Sequence, residues 1–317
     1  MKAERAVHEL QANRRTVIAM PQPILGSLRW PNRPSLPAGN PCWTYMVESQ
    51  HEQFAVAVGH VDDGKPHAFE VWVLGTEQPR GLGAVAKTLS ADMRAEDVAW
   101  LGMKLAALEG IAGSLVIDQP LGEARLLASS HSAALARVVQ YRIRQLDDGD
   151  ATGGHATPLV DAMLPVRDAG HEGTLSWTAD IKNPQTGDDF MVFLPEVETE
   201  QGVHRPVSVK LAGRYPRELD GLAALLTLDM AVVDVAWIGM KLRKLLDYDE
   251  PMGSFFAKVP GTGVSERFPS IVAYLARLIL HRFTMLGLLT AAGYPVVEMG
   301  VMVSGAGESS RVMPDAA

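Results

Sequence analysis

From Cys42 onward the apolar residues fall on alternate positions. CWTYMVES (42–49) and QFAVAVGHV (53–61) read as strands with one buried face, and AFEVWVLG (68–75) follows the turn-forming Asp62-Asp63-Gly64-Lys65-Pro66. A small antiparallel meander is expected. The period then lengthens. Gly81–Met93 and Asp97–Leu108 carry apolar residues at helical spacing, with Met93, Val98, Leu101 and Leu105 near one face, and glycine at 110 suits a helix end. After a Pro/Gly-containing connection, Ser132–Leu146 predicts a third helix with Leu135, Val138, Val139 and Ile143 inward.

The same order then recurs. TLSWTADI (174–181) and FMVFLPEV (190–197) flank the turn Asn183-Pro184-Gln185-Thr186-Gly187, and a third strand is expected through Pro206–Leu211. Leu219–Met230 and Asp234–Leu246 form the second helix pair, and Ile271–Leu286 the last helix. The recurrence is literal. ADMRAEDVAWLGMKL (91–105) and LDMAVVDVAWIGMKL (228–242) match Asp92 with Asp229, Asp97 with Asp234, Trp100 with Trp237 and Lys104 with Lys241. Arg137 likewise matches Arg277, and Arg142 matches Arg282. Identity of that density marks an internal duplication. The expected fold class is therefore α+β, as two tandem repeats, each a small antiparallel sheet with helices packed on one face. The expected boundaries are an N-terminal arm over 1–21, a first repeat over 22–147, a linker over 148–157, a second repeat over 158–299 and a disordered tail over 300–317.

The arm carries Lys2, Arg5, Arg14 and Arg15, and reads as a solvated segment or one amphipathic helix. Six prolines between Pro21 and Pro41 predict an extended lead-in, since proline fixes φ and removes a donor. The linker is rich in Gly and Asp, which suits a solvated hinge. A net charge of −8 argues against a nucleic-acid partner. No secretory leader or membrane-spanning apolar run is evident, so the expected compartment is the cytoplasm, with no membrane partner. Cys42 is the only cysteine, which excludes a disulfide within the chain and any Cys-rich zinc site.

Independent chemistry is sparse. There is no P-loop and no strand–GxGxxG–helix fingerprint. His60 and His67 flank a turn and read as solvated hairpin histidines rather than a metal pair. Ser114 and Ser254 recur after glycine without a repeated His to activate them. Cys42 at a strand start reads as a small buried apolar residue. No catalytic or metal-ligating residue is therefore expected. Trp100 and Trp237 read as core anchors. The charges that recur, Asp97, Asp234, Lys104, Lys241, Arg137, Arg277, Arg142 and Arg282 with Asp92 and Asp229, read as structural ion pairs within each repeat or as a partner surface.

Several long strings resemble a known family. RPSLP (33–37) before the meander, FEVWV (69–73) and a helix pair ending KLAALEGI (104–111) resemble the TSCPD domain. That domain lies at the C-terminal end of adenosylcobalamin-dependent, class II ribonucleotide reductases, at times on a separate polypeptide. In the second repeat SWTADIKNPQTGDDFMVFL, GRYPRELDGLAALLTLDM, DVAWIGMKLRKLL, FFAKVPG and PSIVAYLARLILHRFTMLG are similar to the same region. The likeness runs from about Arg33 to Gly293.

The resemblance implies a catalytic partner elsewhere. The family's chemistry takes place in a large ten-stranded α/β barrel, with a radical cysteine and a reducing cysteine pair. One cysteine cannot supply three sulfurs, and residues 300–317 lack the family's C-terminal cysteine pair. The expected function is thus an accessory, non-catalytic subunit, or detached C-terminal part, of a vitamin B12-dependent ribonucleoside-diphosphate reductase. It would support deoxyribonucleotide synthesis by binding the catalytic chain, which would carry the adenosylcobalamin; no cofactor is expected here. The lead-in Arg29–Pro41 with the basic arm is the expected docking surface, or else it folds back onto the first repeat. The alternative function is a free-standing nucleotide or small-molecule binding module derived from that fold.

Overall fold

A computed structural model describes residues 24–49, 52–62, 66–95, 97–146, 157–164, 173–198, 202 and 204–297. The N-terminal arm, nearly all of the linker and the tail lie outside the described residues. The chain is mixed α+β, with several small antiparallel sheets and seven helices among the described residues. None of these helices is long and apolar enough to cross a membrane.

In the first half β1 (Cys42–Glu48), β2 (Gln53–Asp62) and β3 (Pro66–Leu74) form a three-stranded antiparallel sheet in that order. Val47, Phe54, Val56, Val58, Val71 and Val73 turn inward, so alternation places one face on the core. Helices α1 (Leu82–Asp92) and α2 (Val98–Glu109) follow. A hairpin of β4 (Ile117–Leu121) and β5 (Ala124–Ala128) then precedes α3 (His131–Leu146). Periodicity did not mark that hairpin, because Pro120 interrupts the first strand and each strand is short. Gln119 of β4 reaches back to β1, accepting from the Glu48 N–H at 2.8 Å and donating to the Met46 carbonyl at 2.5 Å. Its amide stands where another strand would pair.

The second half begins with a short helix, α4 (Pro158–Asp161). Strands β6 (Ser176–Asn183), β7 (Asp188–Glu198), β8 (His204–Pro206) and β9 (Lys210–Arg214) form a four-stranded sheet in which β7 pairs with all three others. The single strand expected through Pro206–Leu211 is split. β8 pairs with the end of β7 and β9 with its start, around a break before Lys210. Helices α5 (Leu219–Ala231) and α6 (Val235–Leu246), a hairpin of β10 (Phe255–Lys258) and β11 (Ser265–Phe268), and α7 (Ile271–Met285) complete the chain.

One continuous apolar core runs through both halves, from Val47 and Phe54 on the first sheet to Phe283 on α7. Helix α1 packs against α5, and α2 against both α3 and α5. The lead-in folds back rather than standing free. Arg33 makes a bidentate pair with Glu70 of β3 at 2.6 and 3.0 Å, and Trp30 lies edge-on to Phe69.

Candidate functional site

Aspartates begin two of the central helices for a local reason. The first N–H groups of a helix have no partner within it, and a carboxylate before the first turn accepts from them. Asp97 caps α2 through the Trp100 N–H, and Asp234 caps α6 through the Ala236 N–H. Each also holds a lead-in segment from the opposite half. Asp97 accepts from the N–H groups of Leu159 and Val160, and Asp234 from that of Ile24. Both aspartates therefore act as caps and ties rather than as partners of the repeated arginines.

Between these caps lies a fully buried cluster of charge. Trp100 and Trp237 meet edge to face, with ring centroids 6.1 Å apart. The Trp100 indole donates to Asp92 at 2.8 Å, and the Trp237 indole to Asp229 at 2.7 Å. The shortest ion pairs then cross between the halves, where pairing within each half was expected. Lys104 lies 2.6 Å from Asp229, and Lys241 lies 2.6 Å from Asp92, whereas the pairs within a half are 4.0 and 3.9 Å apart. The physical reason is helix packing. α2, which carries Lys104, lies against α5, and α6, which carries Lys241, lies against α1, so each lysine meets the aspartate of the facing helix first.

Each ammonium finds further partners. Lys104 donates to the Leu225 carbonyl and sits 4.6 Å from the centre of the Trp100 ring; Lys241 donates to the Thr88 carbonyl and sits 4.9 Å from that of Trp237. The Lys104 pKa is pushed down by burial, against the pull of Asp229 and Asp92. Burial likewise pushes Asp229 up, against the two lysines. Two aspartates and two lysines cancel in charge, and the cluster has no opening to solvent. Its chemistry is cohesion.

The repeated arginines diverge. Arg282 grips the buried Glu196 at 2.5 and 2.7 Å, while Arg142 lies over the Trp43 ring at 4.5 Å. Arg137 is 4.0 Å from Glu109, and Arg277 is half-buried on α7. Cys42 is exposed on the outer face of β1, not buried, and partial desolvation and then Glu70 push its thiol pKa up. Ser254 accepts from Arg267, and His67 lies 2.9 Å from Arg29.

A cleft of about 390 Å³ lies at the N-terminus of α3. His131 at its floor is buried and bridges the halves. Its Nδ1 is 2.9 Å from Glu218 and its Nε2 is 3.2 Å from Glu52. The two ring nitrogens thus face carboxylates on separate sides, and among the described residues no group of His, Cys, Asp and Glu converges as metal ligands would. Ser114, Ser132, Arg217 and Asp220 also line the cleft. Sequence reasoning singled out Ser114 but missed Glu52, His131 and Glu218, which come from distant segments. The position matching His131 in the second half is Ile271, and Ser132 and Ala134 differ from their matches too, so no single break marked the histidine.

Compared with protein-family models, with curated proteins and with solved structures, the chain matches none.

Proposed function

We propose that this chain is an accessory, non-catalytic subunit, or detached C-terminal part, of an adenosylcobalamin-dependent ribonucleotide reductase, built as two tandem TSCPD-like repeats. It binds the catalytic chain, which holds the cobalamin and the reactive thiols, and so supports deoxyribonucleotide synthesis in the cytoplasm. The resemblance quoted above supports the family. The observation that carries the binding role is the outer face of the first sheet.

Strand register brings Met46, Ala55 and Leu74 into one row across that face, and Thr44, Ala57 and Trp72 into the next. Trp72, Met46 and Leu74 are 48, 49 and 45% exposed. An exposed apolar patch that includes a Trp is the composition of a protein contact. Gln119 already occupies the β1 edge at Met46–Glu48, so a partner is expected on the face rather than as an added strand. The lead-in, first favoured for docking, is engaged with the chain's own Glu70.

The test is capture of a class II catalytic chain lacking these repeats, with turnover measured using adenosylcobalamin, a dithiol and a ribonucleotide. Complex formation is expected with the native chain and at least a ten-fold weaker complex with Trp72→Glu, whose exposed site leaves folding nearly unchanged. Turnover by this chain alone, or equal affinity for native chain and variant, overturns the reading. The second reading, a free-standing small-molecule binding module, is favoured by the cleft at His131. Three carboxylates around that cleft disfavour a phosphate there, so a nucleotide is the weaker form of it.

A further inference from the structure

The cleft at His131 has an internal counterpart that is filled. In the register that matches Asp92 with Asp229, Arg80 corresponds to Arg217, Gly81 to Glu218 and Gly83 to Asp220. Gly113 and Gly253 correspond likewise, but the chain from Leu245 to Gly253 is longer than that from Leu108 to Gly113. The extra length folds into the end of the helix layer. Glu250 accepts from the Gly81 N–H at 2.6 Å, where φ of 88° suits glycine. The Tyr248 hydroxyl lies so close to Gly83 that a Cβ there would sit 2.5 Å from it. Arg80 closes the outside on Asp188 at 2.7 Å. At the other end the connection is short, nothing corresponding to Tyr248 and Glu250 enters, and the cleft remains.

The charge of the wall is reversed between the two ends. Where the filled end offers the Gly81 N–H to a carboxylate and leaves room for Tyr248 at Gly83, the open end carries Glu218 and Asp220 at the same positions, with Glu52 opposite. Arg217 stands beside them, its guanidinium over the Tyr215 ring at 5.1 Å and donating to the Tyr215 hydroxyl, which donates in turn to Asp220, so a single arginine faces three carboxylates in this lining. Ser132, 1% exposed and part of the lining, keeps a hydroxyl oxygen with no hydrogen-bond partner among the described residues. Ile111 and Leu115 supply an apolar flank. The volume of about 390 Å³ falls within the roughly 300–1,000 Å³ typical of small-molecule sites.

We propose that this cleft binds a small organic cation whose ammonium or guanidinium group is held by Glu218 and Asp220 and whose carbon chain lies along Ile111 and Leu115. The ligand occupies the space that Tyr248 and Glu250 fill at the other end. Opposite charge at close range, partly shielded from water, supplies the attraction. The proposal concerns the chain by itself and does not depend on a reductase partner.

Calorimetric titration of the full chain with agmatine, which carries both a guanidinium and a primary ammonium, tests it, with inorganic phosphate as the probe of opposite charge. Saturable agmatine binding is expected, weakening as sodium chloride is raised, with no phosphate binding. Asp220→Asn is expected to weaken agmatine at least ten-fold. Ser114→Trp, placed at an exposed position to block the cleft, is expected to abolish binding. Melting curves verify that both variants fold, and the exposed Ser114 site keeps the test available should Asp220→Asn not. Absence of saturable agmatine binding, binding that Ser114→Trp leaves unchanged, or a preference for phosphate overturns the proposal.

Discussion

The centre of the molecule and its outer faces treat the recurring sequence positions in opposite ways. At the centre, matched residues do matched work. Each buried Lys meets the facing Asp at 2.6 Å, each Trp indole donates to an Asp, and each cap ties a lead-in from the other half. On the outer faces the match is gone. The first sheet turns Met46, Trp72 and Leu74 to solvent. The second turns out Met191 among the charged Asp180, Lys182, Asp189, Lys210 and Arg214, with Lys182 and Asp189 paired at 3.4 Å. The ends of the helix layer differ in the same sense, one filled by Tyr248 and Glu250 and the other open at His131. A buried charge is held in place by its partner, since losing either strands the other in low dielectric. A surface position has no such constraint and is free to acquire a role. Strict matching therefore marks cohesion, and divergence marks where a partner or ligand is to be sought.

Disrupting the centre gives the largest expected effect. Asp229→Ala or Lys104→Met alone should lower stability by about 3–5 kcal/mol, because the remaining charge is buried without its partner. Asp229→Ala combined with Lys104→Met should cost less than the two single changes together. Urea denaturation of both single variants and the double variant measures this coupling. Additive losses would show that the pair is not the unit of stability.

The caps come next. Asp97→Ala removes an acceptor from the first turn of α2 and from the N–H groups of Leu159 and Val160, and about 1–3 kcal/mol is expected. Asp234→Ala, which frees Ala236 and Ile24, should fall in the same range or slightly below. If one loses several kcal/mol and the other nothing, the likeness of the two caps is only geometric.

The smallest effect concerns pH. Lys244, on α6, has its pKa lowered to about 8, by burial first and then by Arg94, Lys241, Lys87 and Arg243. An unfolded lysine titrates near pH 10.4. Between about pH 8 and 10 the unfolded chain thus holds more protons than the folded one, so this group makes stability rise with pH there. Lys244→Met should flatten that rise. Melting temperatures of both chains at pH 7, 8, 9 and 10 test it, and identical slopes would remove Lys244 as the source. Lys244 corresponds to Ala107 in the first half, so the effect also tests a difference between the halves.

Much of this architecture was legible from residue pattern alone. Alternation located β1, β2, β3, β6 and β7, helical spacing located the central helix pairs and the last helix of each half, and the recurring Asp, Trp and Lys marked the residues that meet at the centre. Those signals are local: one buried face imposes a period, and a duplicated string can be seen by comparison. Partnership is not local. That Lys104 prefers Asp229 to Asp92 follows from α2 lying against α5. That Glu52, His131 and Glu218 share a cleft follows from three distant segments closing together, with no spacing to announce it. That Cys42 is exposed and the lead-in is bound to Glu70 depends on which face each strand turns outward and what then covers it. Sequence determined the elements and the residues that recur among them; packing of the two halves alone decided which charges pair, which cleft stays open and which face remains uncovered, because burial and contact are properties of the assembled core.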